Sequence, residues 1–211
     1  PHLPTALQIQ ALLGALTAIE TIVGDEARRR ALVALAPQIE AIGTLLYMPD
    51  VLRQAIEVTF SIDAPGERAR AFAALAPYLS PELLREALHA TRDITDDDDR
   101  ATTLARLAQY LPSDLQVAAF GIAQELRPAQ ARATALAAIA PYLSLSARQQ
   151  ALTDALAAAL AIEWRFDRVV ALADLAPHLR DDLQVRALNE ALTATRAILD
   201  ESERARSLIF L

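Results

Sequence analysis

Ala74-Leu75-Ala76-Pro77-Tyr78-Leu79 decides the reading of this chain, because the string returns along it. It stands as Ala34-Leu35-Ala36-Pro37, as Ala138-Ile139-Ala140-Pro141-Tyr142-Leu143 and as Asp174-Leu175-Ala176-Pro177-His178-Leu179. Arg106-Leu107-Ala108-Gln109-Tyr110-Leu111 is a further copy with Gln in place of Pro. Taking the Leu or Ile as anchor gives Leu35, Leu75, Leu107, Ile139 and Leu175, with Leu211 a sixth by register. The anchors are spaced by 40, 32, 32, 36 and 36 residues, the period of helical-hairpin repeats.

Other columns align on these anchors without gaps. Seven residues before each stands Arg28, Arg68, Arg100, Arg132, Arg168 and Arg204. Three before stands Leu32, Phe72, Leu104, Leu136, Leu172 and Leu208, and thirteen before stands Ile22, Ile62, Ile94, Leu126, Ile162 and Ile198. Twenty before, every copy has Ala: Ala15, Ala55, Ala87, Ala119, Ala155 and Ala191.

These offsets are helical. One apolar stripe runs through the positions from twenty-three to thirteen before the anchor, and a second through the last seven. Between them lie Gly24-Asp25, Asp63–Gly66, Asp96–Asp99, Arg127-Pro128 and Asp200-Glu201, turn and N-cap chemistry for a second helix. Pro after the anchor's Ala ends or kinks that helix. Ser80-Pro81-Glu82 then reads as N-cap, first helical position and first-turn acid of the next helix. Repeat length changes in steps of four, one helical turn, which predicts an extra turn on the first helix of the longer units. The longest connection, Glu40–Asp50, contains Gly43 and Pro49 and suits either an extra turn or an irregular one. The expected fold is all-α: a right-handed α-solenoid of about five to six helix-turn-helix repeats of 32–40 residues, one domain over residues 1–211.

Composition narrows the chemistry. The chain has 211 residues, 54% hydrophobic, a net charge of -7 and no Cys. An acidic chain lacks the basic face of a general nucleic-acid binder, and thiol chemistry is excluded. Lys is absent too, which removes Schiff-base and phosphate-loop lysines. No run approaches the ~18 apolar residues of a membrane span. With no secretory signal visible, a cytoplasmic protein without membrane or nucleic-acid partners is expected. The only Met is Met48, so a piece of a longer chain is expected.

The strings Leu75–Leu79, Leu83–Leu88, Ile198–Asp200 and Arg204–Leu208 resemble Ala/Leu/Arg-rich hairpin repeats of large bacterial multidomain proteins. In size and hairpin form the repeats resemble HEAT-like and tetratricopeptide-like α-solenoids. The resemblance covers the whole chain, although the Trp-Leu-Gly pattern of tetratricopeptides is missing. It implies a sensor or interaction module of the kind found in signalling or defence proteins, often beside a nucleotide-switch ATPase domain. No ATPase motif stands in this chain.

Candidate chemistry is sparse. His2, His89 and His178 fall in unrelated repeat positions with no metal-ligand spacing. Asp96–Asp99 reads either as a cation site or as a solvated turn capping the helix near Arg100. The arginine column Arg28, Arg68, Arg100, Arg132, Arg168 and Arg204 sits in first turns, a poor place for a cation. It reads as a structural ladder to carboxylates or helix-end carbonyls, or as a strip for an acidic or phosphorylated peptide. Tyr78, Tyr110, Tyr142 and His178, three after the anchor, read as packing over the inter-hairpin turn or as one edge of a groove. Arg30 and Arg70 begin a varying column, continued by Thr102, Thr134, Val170 and Arg206, of the kind that reads a partner. Trp164 and Phe166 replace the acidic turn of other copies, as a local core plug or as a partner hot spot.

The function expected is a non-catalytic protein- or peptide-interaction module, not an enzyme and without cofactor or metal. The alternative is a structural element that self-associates through terminal repeats, since Leu208–Leu211 lacks the polar cap a solenoid end needs. An enzyme or cofactor-handling solenoid would need convergent titratable groups in a pocket.

Overall fold

The computed structural model describes residues 4–42 and 48–211. Among the described residues 84% are helical and none is in a strand. Twelve α-helices follow one another there: α1 (Thr5–Glu20), α2 (Asp25–Ile42), α3 (Met48–Phe60), α4 (Pro65–Leu75), α5 (Pro81–Arg92), α6 (Asp97–Leu107), α7 (Ser113–Glu125), α8 (Ala129–Ile139), α9 (Leu145–Leu160), α10 (Arg165–Leu175), α11 (Asp181–Ala197) and α12 (Glu201–Ser207). They form two compact units, Pro1–Thr95 and Asp96–Leu211.

In the first unit α1 packs on α2 and α3, and α2 packs on α4. In the second, α8 packs on α6 and α10, and α10 on α12; α7 and α9 lie along α8, and α11 along α10. Within each unit the second helices of successive repeats therefore touch in chain order.

The repeat columns are the core. Leu32, Phe72, Leu104, Leu136 and Leu172 are buried, as are the anchors Leu75, Leu107, Ile139 and Leu175. Of the Ala column, Ala55, Ala87, Ala119, Ala155 and Ala191 are wholly buried. A side chain of one carbon there lets helix backbones approach without a void. Phe60 meets Phe72 edge-on, ring centroids 5.3 Å apart.

Element lengths follow the repeat arithmetic in the 36-residue repeats but not in the 40-residue one, whose first helix α3 has 13 residues while α2 before it extends to 18. The first helices α5 and α7 have 12 and 13 residues, while α9 and α11, in the longer repeats, have 16 and 17. Ser80 caps α5 by accepting from the Leu83 N–H at 3.4 Å, with Pro81 at the first turn. The carboxyl of Glu82 is held below the ordinary carboxylate range, first by its own backbone N–H, then by the Ser80 hydroxyl and the Arg85 charge. Asp96 caps α6 through the Asp99 N–H at 2.8 Å, so the aspartate run Asp96–Asp99 forms the start of a helix.

Proline behaves differently from the expectation. Four second helices, α4, α6, α8 and α10, stop at the anchor and tighten into the 3-10 turns Ala76–Tyr78, Ala108–Tyr110, Ala140–Tyr142 and Ala176–His178. The second of these turns carries Gln109, not Pro, and α2 runs through Pro37 to Ile42. Pro is thus neither required for the turn nor sufficient for it. The four turns share a buried Leu that follows in extended conformation: Leu79, Leu111, Leu143 and Leu179. Ile39, at the same repeat position, is buried too while staying inside α2, so burial there does not by itself end the helix. Gly43, in the long connection, lies outside the described residues, as does His2.

Candidate functional site

The arginine column has one recurring partner. The guanidinium of Arg28 donates to the Ile22 carbonyl at 3.1 Å, Arg68 to Ile62 at 3.0 Å, Arg132 to Leu126 at 2.8 Å, Arg168 to Ile162 at 2.7 Å and Arg204 to Ile198 at 3.2 Å. In each case the acceptor stands six residues earlier, just past the C-terminus of the first helix. Those carbonyls lie beside the negative end of that helix's dipole. A cation that its own helix N-terminus disfavours is thus compensated by the helix before it. Arg100 also meets Asp97 at 3.2 Å. Arg28 reaches one repeat further, to the Ser61 carbonyl, while Asp25 accepts from the Ala64 N–H at 2.7 Å. Arg29 and Glu67 complete this junction of α2 with α4.

The varying basic column is occupied locally. Arg30 pairs with Glu26 and Arg70 with Glu67, each within its own helix. Arg206 lies over the Phe166 ring, 5.6 Å from its centroid. Tyr78, Tyr110, Tyr142 and His178 each end a 3-10 turn. Tyr78 and Tyr110 are half-buried, whereas Tyr142 and His178 are exposed.

Trp164 and Phe166 lie in different settings. Phe166 packs against buried Val169, Ala194 and Ile198 and meets Phe210 edge-on at 6.0 Å. Trp164, two residues earlier, is 77% exposed. It is the N-cap residue of α10 and makes no side-chain cap bond. In the same repeat position Asp96 caps α6, and Asp200 caps α12 through the Glu203 N–H at 2.7 Å. Gly24 occupies it before α2 with φ at 99°, a backbone setting that suits glycine. Trp164 therefore stands where a capping side chain would add about 0.5–2 kcal/mol to the helix.

Trp164 lines a cleft of about 750 Å³ between the turns that precede α10 and α12. Leu199, 88% exposed, forms part of the wall opposite. Four carboxylates border it, Glu163, Asp167, Asp200 and Glu203, against the single guanidinium of Arg165. Trp164 and His178 lie beyond opposite ends of α10, roughly 21 Å apart at helical rise, so the His178 turn and this cleft are separate surfaces. Among the described residues, no group of three or more His, Asp or Glu side chains could hold a metal ion, and no helix is long and apolar enough to cross a membrane.

The sequence gives Leu199, Asp167 and Glu203 no prominence of their own, and marks Asp200 only as a helix cap. The available signal was positional: Leu199 shares its repeat position with Val23, another apolar residue at a hairpin tip. No family model matches the chain, and no curated protein is significantly similar to it.

Proposed function

We propose that the chain is a non-catalytic protein- or peptide-interaction module, a stack of helical hairpins of the solenoid type that binds through the Trp164 cleft. One observation carries the reading. An exposed Trp holds a helix-cap position that Asp fills in two sister repeats and that Ala64 and Pro128 leave uncapped in two others, so a large apolar ring stands in water there with neither a cap bond nor packing gained. With exposed Leu199 across the cleft it forms apolar surface of the kind that marks an interaction site, and Trp is among the side chains most enriched in interface hot spots.

Panning a displayed peptide library tests it. The wild type enriches a consensus that Trp164→Asn does not retain, while the variant, its cap restored, unfolds at equal or higher urea concentration, with a gain of about 1 kcal/mol. A library that enriches nothing, or enriches the same consensus on both proteins, contradicts the reading.

A second reading, self-association through the last hairpin, has its own observation. Leu188 and Leu192 are partly exposed, whereas their repeat equivalents Leu84 and Leu88 are buried; Leu208, Ile209 and Phe210 are exposed beside them. Light scattering at rising concentration then gives a dimer mass that Leu192→Glu abolishes. A single-chain mass throughout contradicts it.

A further inference from the structure

We infer that the Trp164 cleft takes a cationic–apolar peptide segment, one that places an Arg or Lys beside a bulky aliphatic side chain; this rests on the interaction reading above. Three features of the cleft point to that occupant together. The first is charge: Glu163, Asp167, Asp200 and Glu203 face one guanidinium, Arg165, so a partner bearing positive charge is steered in and an acidic one is repelled. The second is the indole of Trp164, the aromatic ring that holds a cation best on its face. The same edge already shows this chemistry within the chain, where the Arg206 guanidinium rests on Phe166. The third is Leu199, whose aliphatic side chain lies almost fully in water. A cation alone leaves that surface wet, and an aliphatic neighbour covers it.

An acidic or phosphorylated segment, the occupant suggested by the arginine column, does not suit this surface. Five of those guanidiniums donate to carbonyls of their own hairpins, and the cleft itself is rimmed by carboxylates.

Trp164 is the only Trp of the chain, so its fluorescence reports occupancy directly when the probes carry no aromatic residue. Three synthetic peptides of equal length serve as probes: alternating Arg and Leu, alternating Arg and Ser, and alternating Glu and Leu. The Arg/Leu peptide is expected to shift the Trp164 emission saturably, and its Kd to rise several-fold between low and high salt. The Arg/Ser peptide binds about tenfold more weakly, the loss of one buried aliphatic side chain, and the Glu/Leu peptide does not bind. Equal binding of Glu/Leu and Arg/Leu, or affinity indifferent to salt, overturns the cationic assignment and leaves the interaction reading in place. No response to any of the three also overturns it. The interaction reading falls separately, when panning on the wild-type protein returns no consensus dependent on Trp164.

Discussion

Replacing Leu136 with Ala lowers stability by about 2–5 kcal/mol. Leu136 is wholly buried on α8, and α8 packs against α6, α7, α9 and α10. Truncation removes three carbons from water-excluded contact and leaves a cavity that four surrounding helices cannot all close. The neighbouring change Leu145→Ala is the control. Leu145 is exposed at the start of α9, and its loss stays within about 0.5 kcal/mol. Urea unfolding followed by far-UV circular dichroism measures both. Equal midpoints for the two variants would place the repeat's apolar column outside the core.

Replacing Arg132 with Met costs about 1.5–3 kcal/mol. Met keeps an unbranched apolar stem and removes the fork that donates to the Leu126 carbonyl at 2.8 Å and the Arg127 carbonyl at 3.3 Å. Leu126 is buried, so its carbonyl loses a charged donor in a place where water is a poor substitute. Arg30→Met is the matched control, since Arg30 and Glu26 form an exposed pair within one helix, worth at most about 0.5 kcal/mol. If both variants unfold alike, the column does not hold the hairpins. The same comparison separates stability from binding: Arg132→Met is expected to leave the consensus selected by panning unchanged, because Arg132 does not line the Trp164 cleft.

Much of the fold is legible in the residues because packing acts on side chains, and side chains are what a sequence states. The buried Leu and Ala columns, the longer α9 and α11, and the caps at Ser80, Asp96 and Asp200 all follow from that. The partner of the arginine column was harder to read. Both columns involved, Arg at seven and Ile or Leu at thirteen before the anchor, stand plainly in the sequence. Their link is a backbone carbonyl, which every residue has and no letter marks. Pro37 misleads for a related reason. A proline forbids one donor and disfavours a helix before it, but it does not end α2, which keeps Ile39 buried and helical where Leu79, Leu143 and Leu179 are buried and extended.

The candidate site was half legible. Trp164 and Phe166 stand out as departures from their repeat, but only the structure shows that Phe166 plugs the core while Trp164 faces solvent. Leu199 and the carboxylates of the next turn join them through the packing of α10 on α12, which sequence separation conceals. Arg30 and Arg70, prominent as surface cations in the sequence, are already paired with Glu26 and Glu67. The tyrosine column lies at the other end of its helices from the Trp164 turn.

The most direct test is an amide chemical-shift map of the protein with a panned peptide bound. The account predicts that the largest perturbations fall on Glu163–Asp167 and Ile198–Glu203, the two turns that form the cleft. Perturbations centred on the turns of Tyr110, Tyr142 and His178, with the Trp164 turn unmoved, would contradict it.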